Sequence, residues 1–288
     1  MDEYLLIDLA DYRHSGEGAN GESLDCLSDP LVMVKMYNTG YPQETIFEEL
    51  EVARKVYDLG IPSPQPGELV TDGERLGIRF RRIVGKRSFS RMLADEPERT
   101  EEYSREFARL CRDLHKVKAP KGMFPDARAQ FVHMLETIKS FSEAEKQKVA
   151  DFINAVPDTD TVLHGDMHIG NVITTLPKGA PLDTPHESYF IDLGYFSHGC
   201  PWLDLGMMRM ICISSDDEFR YESMHVHGDQ TALVWKYFVD EYFGGTMSLE
   251  AADELIKPYQ AVKSLLVAYN MQGFLPPEYE RLLREQLL

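Results

Sequence analysis

The chain has 288 residues, enough for two lobes or one large domain with a real core. Apolar residues make up 43 % and charged residues 27 %, ordinary globular usage that excludes an unfolded chain. Lysine and arginine number 30 against 48 acidic residues, and the resulting charge of −18 argues against nucleic acid and anionic membranes as partners. The acidity has two readings, a solvated surface or an acidic cleft for a cationic substrate.

The sequence opens Met-Asp-Glu-Tyr, with no basic region leading into an apolar run. No uninterrupted apolar stretch approaches the ~18 residues that span a bilayer, so a cytoplasmic location is expected. No internal repeat is visible, and the periodicity changes once, near residue 85, from strand-like to helix-like. Segments 4–9, 31–36, 67–70 and 76–83 are rich in β-formers and broken by Gly, Asp-Pro and Asp-Gly turns, which predicts a small antiparallel sheet.

Ahead of strand 31–36 lies the turn Ser15-Gly16-Glu17-Gly18-Ala19-Asn20-Gly21-Glu22-Ser23, which alone is only a glycine-bearing loop. The strand itself, Leu31-Val32-Met33-Val34-Lys35, carries a lysine among apolar residues. A buried ammonium needs an anionic partner. The next element, a helix over 44–59 with Ile46, Leu50, Ala53, Val56 and Tyr57 on one face, offers Glu44, Glu48, Glu49 and Glu51. Gly60 and Pro62 end it. Beyond residue 85, helices are predicted over 101–117, 127–141, 143–156, 203–214, 229–243 and 249–271, with a short tail from Glu278. Two apolar runs inside this half, 161–163 and 189–191, predict a hairpin of two short strands. The proline-bearing connection 174–188 reads as a surface excursion without a catalytic role. The four cysteines, Cys26, Cys111, Cys200 and Cys212, show no disulfide or zinc spacing and are expected to be reduced and buried.

The strongest chemical signal is His164-Gly165-Asp166-Met167-His168-Ile169-Gly170-Asn171, followed after the excursion by Ile191-Asp192-Leu193-Gly194. Phosphoryl transfer needs a carboxylate to accept the attacking hydroxyl's proton and hard oxygen ligands for magnesium. The Asp-x4-Asn spacing equals that of the protein-kinase catalytic loop, and Asp-Leu-Gly stands where protein kinases have Asp-Phe-Gly. Asp166 is therefore the candidate base, and Asn171 and Asp192 the candidate Mg2+ ligands. Asp, Asn and Gly also decorate ordinary turns, but two apolar runs each ending in such a motif are hard to account for that way.

In these motifs, and in Gly60-Ile61-Pro62-Ser63-Pro64, the chain resembles the aminoglycoside phosphotransferase and choline kinase superfamily, small-molecule relatives of protein kinases. The resemblance covers essentially the whole chain. It implies an α+β, bilobal protein-kinase-like fold: a nucleotide-binding lobe over 1–84, a small antiparallel sheet with one helix, and a larger helical catalytic and substrate-binding lobe over 85–288. It implies that Gly16, Gly18, Asn20, Gly21 and Ser23 cover the triphosphate of ATP or GTP, that Lys35 contacts the α and β phosphates, and that Glu49, with Glu48 as fallback, pairs with Lys35. Arg82 and Ile83 fall where similar enzymes read adenine through the backbone. Asp204 in Pro201-Trp202-Leu203-Asp204-Leu205 resembles the aspartate that holds the catalytic loop, and it is also a good helix cap. His164 and His168 brace the loop more readily than they bind magnesium. The aromatic residues Tyr195, Phe196, Trp202, Trp235, Tyr237 and Tyr242 read as core or as the wall of a substrate pocket.

The resulting expectation is an ATP-dependent kinase acting on the hydroxyl of a small molecule: an amino alcohol, an amino sugar such as an aminoglycoside, or another sugar. A cationic acceptor suits the acidity. The alternative is a catalytically silent nucleotide-binding regulator or scaffold with the same fold. The leucine after Asp192 departs from the acidic continuation of many antibiotic kinases, which weakens a resistance role. Protein kinase activity is disfavoured by the lack of an Ala-Pro-Glu element after Gly194.

Overall fold

A computed structural model describes residues 4–18 and 20–288. Met1, Asp2, Glu3 and Ala19 lie outside it, so the reading of the opening residues and of Ala19 in the glycine-bearing turn has no structural counterpart here. The chain packs as two compact units, Met1–Arg87 with Val172–Tyr195, and Ser88–Asn171 with Phe196–Leu288.

The first unit is built on six strands: β1 (Leu5–Leu6), β2 (Tyr12–Gly18), β3 (Gly21–Cys26), β4 (Val32–Tyr37), β5 (Pro66–Thr71) and β6 (Leu76–Arg81), in the order β1-β5-β6-β4-β3-β2. The sheet is mixed rather than purely antiparallel, because β1 pairs with β5 in parallel. Alternation along β4 buries Val32, Val34 and Met36 completely or nearly so. That leaves Lys35 on the opposite face, in register with Ser23 on β3 and Ile78 on β6. Helix α1 (Gln43–Asp58) buries Ile46, Leu50, Ala53 and Val56, the spacing read from sequence. Glu49 shares that buried face. Gly60, at φ +77°, ends the segment in the left-handed region that glycine enters without strain.

The return of 172–195 to this unit corrects the predicted hairpin. Ser188–Phe190 pairs with Val172–Thr174, the strand that leaves the Asp166–Asn171 loop, and not with the run at 161–163. Val162–Leu163 instead pairs with Ser197–His198 in the second unit. Pairing Ser188–Phe190 with Val172–Thr174 closes a shorter loop than pairing it with 161–163 would. The Phe190 amide donates to the Pro62 carbonyl at 2.9 Å, and α1 packs on the short turn Leu193–Tyr195.

The second unit is helical. It contains α2 (Phe89–Asp95), α3 (Thr100–Leu114), α4 (Ala127–Glu136), α5 (Glu143–Ala155), α6 (Trp202–Arg209), α7 (Asp217–Met224), α8 (Gly228–Tyr242), α9 (Leu249–Asn270) and α10 (Pro277–Leu287). Helix α3 presents Tyr103, Phe107, Cys111 and Leu114 on one buried stripe against α8. Ser142 and Glu145 form a reciprocal capping box that starts α5. The helix predicted over 203–214 keeps α-geometry only to Arg209 and continues as a π-helical turn, Met210–Ser214. Helix α6 crosses α9 so closely that a Cβ on Gly206 would lie 2.7 Å from the backbone carbon of Tyr259. Only glycine allows that approach, and the crossing fixes where Asp204 and Lys263 sit.

Candidate active-site residues

In the first unit, β4 and α1 converge on one ion cluster. Lys35 Nζ donates to Glu49 Oε1 at 2.7 Å and to Asp192 Oδ1 at 3.0 Å. Glu49 is thus the residue that pairs with Lys35, and Glu48 is not. Burial works against the ammonium, but the carboxylates of Asp192 and Glu49 outweigh it and hold Lys35 above the usual lysine range. The Tyr37 ring lies 5.2 Å from the ammonium, and burial followed by the charge of Glu49 pushes its phenol far above the ordinary value. Asp192 adopts φ +59°, uncommon for a residue with a side chain, separated by Ile191 from the strand Ser188–Phe190 and just before the Leu193–Tyr195 turn. Its side chain is 46 % exposed, and among the described residues only Oδ1 is used; Oδ2 accepts no hydrogen bond.

The glycine-bearing turn forms the β2–β3 hairpin, with a register shift between His14 and Gly16 and a hydrogen bond from Ser15 Oγ to the Ser23 carbonyl. Gly21 must be glycine for a local reason: a Cβ there would lie 2.1 Å from the Met36 carbonyl oxygen. Gly16 and Gly18 have no such neighbour, with nearest contacts of 3.9 and 3.7 Å. The Asn20 carbonyl accepts from the Asn38 amide. At the end of β6, the Arg82 amide already donates to the Leu31 carbonyl at 2.8 Å, and its guanidinium reaches Asp25 at 2.7 Å.

In the second unit, Asp166 and Asn171 close their loop on each other. Asn171 Nδ2 donates to the Asp166 carbonyl at 2.9 Å and to its Oδ2 at 3.1 Å, while the Asn171 amide donates to the His168 carbonyl. Among the described residues Asn171 Oδ1 accepts nothing, the end a hard cation would use. Burial opposes ionisation of Asp166, but His168, whose Nε2 lies 3.7 Å from Oδ2, His164 and Lys263 outweigh it and hold the carboxyl far below the usual range. Asp166 is therefore a carboxylate at neutral pH, the form a base requires.

Asp204, fully buried on α6, accepts from the amides of His164 at 2.7 Å and Gly165 at 2.9 Å, while His115 Nε2 lies 3.2 Å from its Oδ2. His115 is oriented in turn by the Tyr242 hydroxyl at 2.7 Å from Nδ1. Burial raises the Asp204 carboxyl, and His115, Lys263 and His164 more than reverse it, so the group is held low. Phe196 packs on His164 with ring centres 5.0 Å apart, and Phe196 and Trp235 are core. Sequence reasoning found Asp204 but missed His115, Tyr37 and Lys263. The signal for Lys263 was present, a lone lysine in the apolar run Ala261-Val262-Lys263-Ser264-Leu265-Leu266.

Magnesium fits the donor set: a carboxamide oxygen on Asn171 and a carboxylate oxygen on Asp192, both hard and both uncommitted within their own units. Among the described residues no group of three or more His, Cys, Asp or Glu forms a metal cage. Three cysteines are buried and Cys26 is half-buried, all as free thiols. No described helix is long and apolar enough to cross a membrane.

Protein kinases and their relatives tether a strand lysine to a helix glutamate in this way, and the fold belongs to that kinase-like class. The chain belongs to the phosphotransferase enzyme family, whose model matches residues 29–235. Among solved structures it is similar to the aminoglycoside phosphotransferase APH(2'')-Ib in its ADP-bound form, at 15 % identity over 96 % of this chain and 93 % of that one, with a TM-score of 0.57. It is likewise similar to APH(3'')-Id from Streptomyces rimosus in complex with ADP and streptomycin, at 16 % identity over 90 % and 93 %, TM-score 0.56. A choline/ethanolamine kinase family protein from Mesorhizobium loti matches at 15 % identity over 94 % and 87 %, TM-score 0.53. At these identities the likeness speaks for the fold. No curated protein matches the chain.

Proposed function

We propose that the protein is a magnesium-dependent kinase of small molecules that transfers the γ-phosphate of ATP, or GTP, to an acceptor hydroxyl. The observation that carries this reading is the ionised Asp166, held against Asn171 in a loop of kinase spacing. Family membership supports it. Asp166 Oδ accepts the proton of the acceptor hydroxyl as that oxygen bonds to the γ-phosphorus and the bond to the β-phosphate oxygen breaks, releasing the nucleoside diphosphate. Lys35, kept cationic and aimed by Glu49, binds the α and β phosphates, and the β2–β3 hairpin covers them with its backbone amides through Gly16, Gly18, Asn20, Gly21 and Ser23. Ile83 and the Arg82 carbonyl read the adenine edge. Asn171 Oδ1 and Asp192 Oδ2 would hold Mg2+, which neutralises charge developing on the transferred phosphoryl group.

The acceptor class that fits best is an amino alcohol or amino sugar, because the chain carries −18 and a neutral sugar would leave partly desolvated carboxylates unpaired at a cost of about 1 to 3 kcal/mol each. The two complexes with streptomycin among similar structures are in keeping with this. The same charge suits neither nucleic acid nor an anionic membrane as a partner and is consistent with a cytoplasmic protein. The test is a screen of amino alcohols, aminoglycosides, neutral sugars and sugar acids, scored by ADP release above the no-acceptor background. A flat screen from protein that still binds nucleotide returns the reading of a silent scaffold. A neutral sugar as best acceptor leaves the kinase and removes the cationic substrate.

A further inference from the structure

Lys263 lies inside the second unit with 1 % of its surface exposed. Taking an ammonium out of water is costly unless a partner compensates for it. Among the described residues its one hydrogen bond goes to the Gly165 carbonyl, at 2.5 Å, and the Phe131 ring lies 4.9 Å from Nζ. Asp204 and Asp166 are the charged groups that bear on it.

The Gly165 carbonyl belongs to the peptide whose nitrogen is that of Asp166. Gly165 sits at φ +84° and has no side chain to restrict it, so this peptide can rotate at little steric cost while the Cα positions stay in place. Asp204 on α6 takes the amide protons of His164 and Gly165, which fixes the chain up to Gly165 but leaves the next carbonyl unheld. Lys263 on α9 holds that carbonyl. Among the described residues Asp166's own amide has only a 3.3 Å contact with His164 Nδ1.

We propose that Lys263 is a positioning residue for phosphoryl transfer: its hydrogen bond to the Gly165 carbonyl selects one orientation of the Gly165–Asp166 peptide and so fixes where Asp166 presents its carboxylate. The inference rests on Asp166 being the base. It requires two braces of opposite sign on consecutive peptides, a carboxylate for the N–H groups and an ammonium for the C=O.

The experiment compares wild type, D166N, K263M and K263Q in full-length protein with one acceptor. Methionine matches the length of lysine without charge or donor, and glutamine restores a donor. K263M is expected to melt near wild type, to bind nucleotide and acceptor within about threefold, and to lose about 10²-fold in kcat, the scale of a ~1 Å misplacement. K263Q should recover part of that loss. A K263M enzyme with kcat within about threefold of wild type overturns the inference, as does a loss that merely follows the unfolded fraction or falls on KM. Should K263M fail to fold, the same split in K263Q decides. D166N separates the two claims: a rate lost in D166N but kept in K263M overturns the role of Lys263 alone, whereas an unaffected D166N removes the base assignment and this inference with it.

Discussion

Lys35 faces two carboxylates at 2.7 and 3.0 Å and keeps a partly open environment, whereas Lys263 is sealed inside its unit with a single carbonyl acceptor. The electrostatic outcome is opposite. Lys35 is buried enough to lose hydration, yet Asp192 and Glu49 raise its pKa; burial lowers that of Lys263, against the pull of Asp204 and Asp166. An ammonium with two carboxylate partners, one of them the half-exposed Asp192, can exchange that partner for phosphate, and Asp192 keeps an uncommitted oxygen. An ammonium with one backbone acceptor and no solvent has nothing to exchange and serves as a brace. The same side chain thus does opposite work, and the difference is set by what lies within hydrogen-bond reach.

The largest effect should come from the carboxylate that the brace supports. D166N is expected to lower kcat by about 10² to 10⁴-fold while nucleotide affinity stays near wild type, because it removes a proton acceptor and little phosphate contact. Steady-state kinetics beside a binding titration checks this, and a parallel loss of affinity would move Asp166 into the nucleotide site. On the exchangeable side, D192A should abolish the magnesium-dependent part of nucleotide stabilisation in a melting assay, and K35A should only weaken it. Equal behaviour of the two variants would erase the distinction between ligand and tether.

Smaller effects follow from the frame. G206A places a methyl 2.7 Å from the Tyr259 backbone and must push α6 from α9, the helices that carry Asp204 and Lys263. Overpacking of this kind costs about 1 to 3 kcal/mol, read as a lower denaturant midpoint. The two clusters should also part on the pH axis. The raised pKa of Lys35 contributes stability that is fully present below about pH 10.4, the unfolded value, and is lost as pH rises through the folded one. The depressed Asp204 carboxyl contributes stability present above about pH 3.9 and lost as pH falls toward its folded value. Denaturation across pH should therefore show K35M converging on wild type only in strong alkali and D204N only in acid. Convergence of D204N at alkaline pH would contradict the cause assigned to its shift.

Much of this was legible in the sequence, where a residue's role is set by its neighbours in the chain. The apolar run Leu31–Val34 marked Lys35 as a strand lysine, and the spacing of Ile46, Leu50, Ala53 and Val56 gave α1 within a residue at each end. The loop at 164–171 and the aspartate at 192 stood out by spacing alone. The missing parts depend on contacts distant in sequence. The runs at 161–163 and 189–191 both looked like strands, but nothing local says that each pairs with the segment following the other's motif. The backbone commitment of Arg82 to Leu31 is a ladder bond across 51 residues that no pattern at 80–85 reveals, 82 − 31 being that separation. His115 left no local signal because it reaches the loop through Asp204, 89 residues away, and Lys263 showed only as a lone lysine in an apolar run, its partner, the Gly165 carbonyl, lying 98 residues off.

The central claim is that this chain moves a phosphoryl group to a hydroxyl, and the most direct test is to follow the group itself. With γ-labelled ATP, magnesium and the best acceptor of the screen, wild-type protein should place label on the acceptor one-for-one with ADP formed, and chelation of magnesium should stop it. D166N, folded and nucleotide-bound, should transfer at no more than about 1 % of that rate. Label that stays on nucleotide or appears only as free phosphate across the whole acceptor panel would contradict the account and leave a nucleotide-binding protein without a kinase's chemistry.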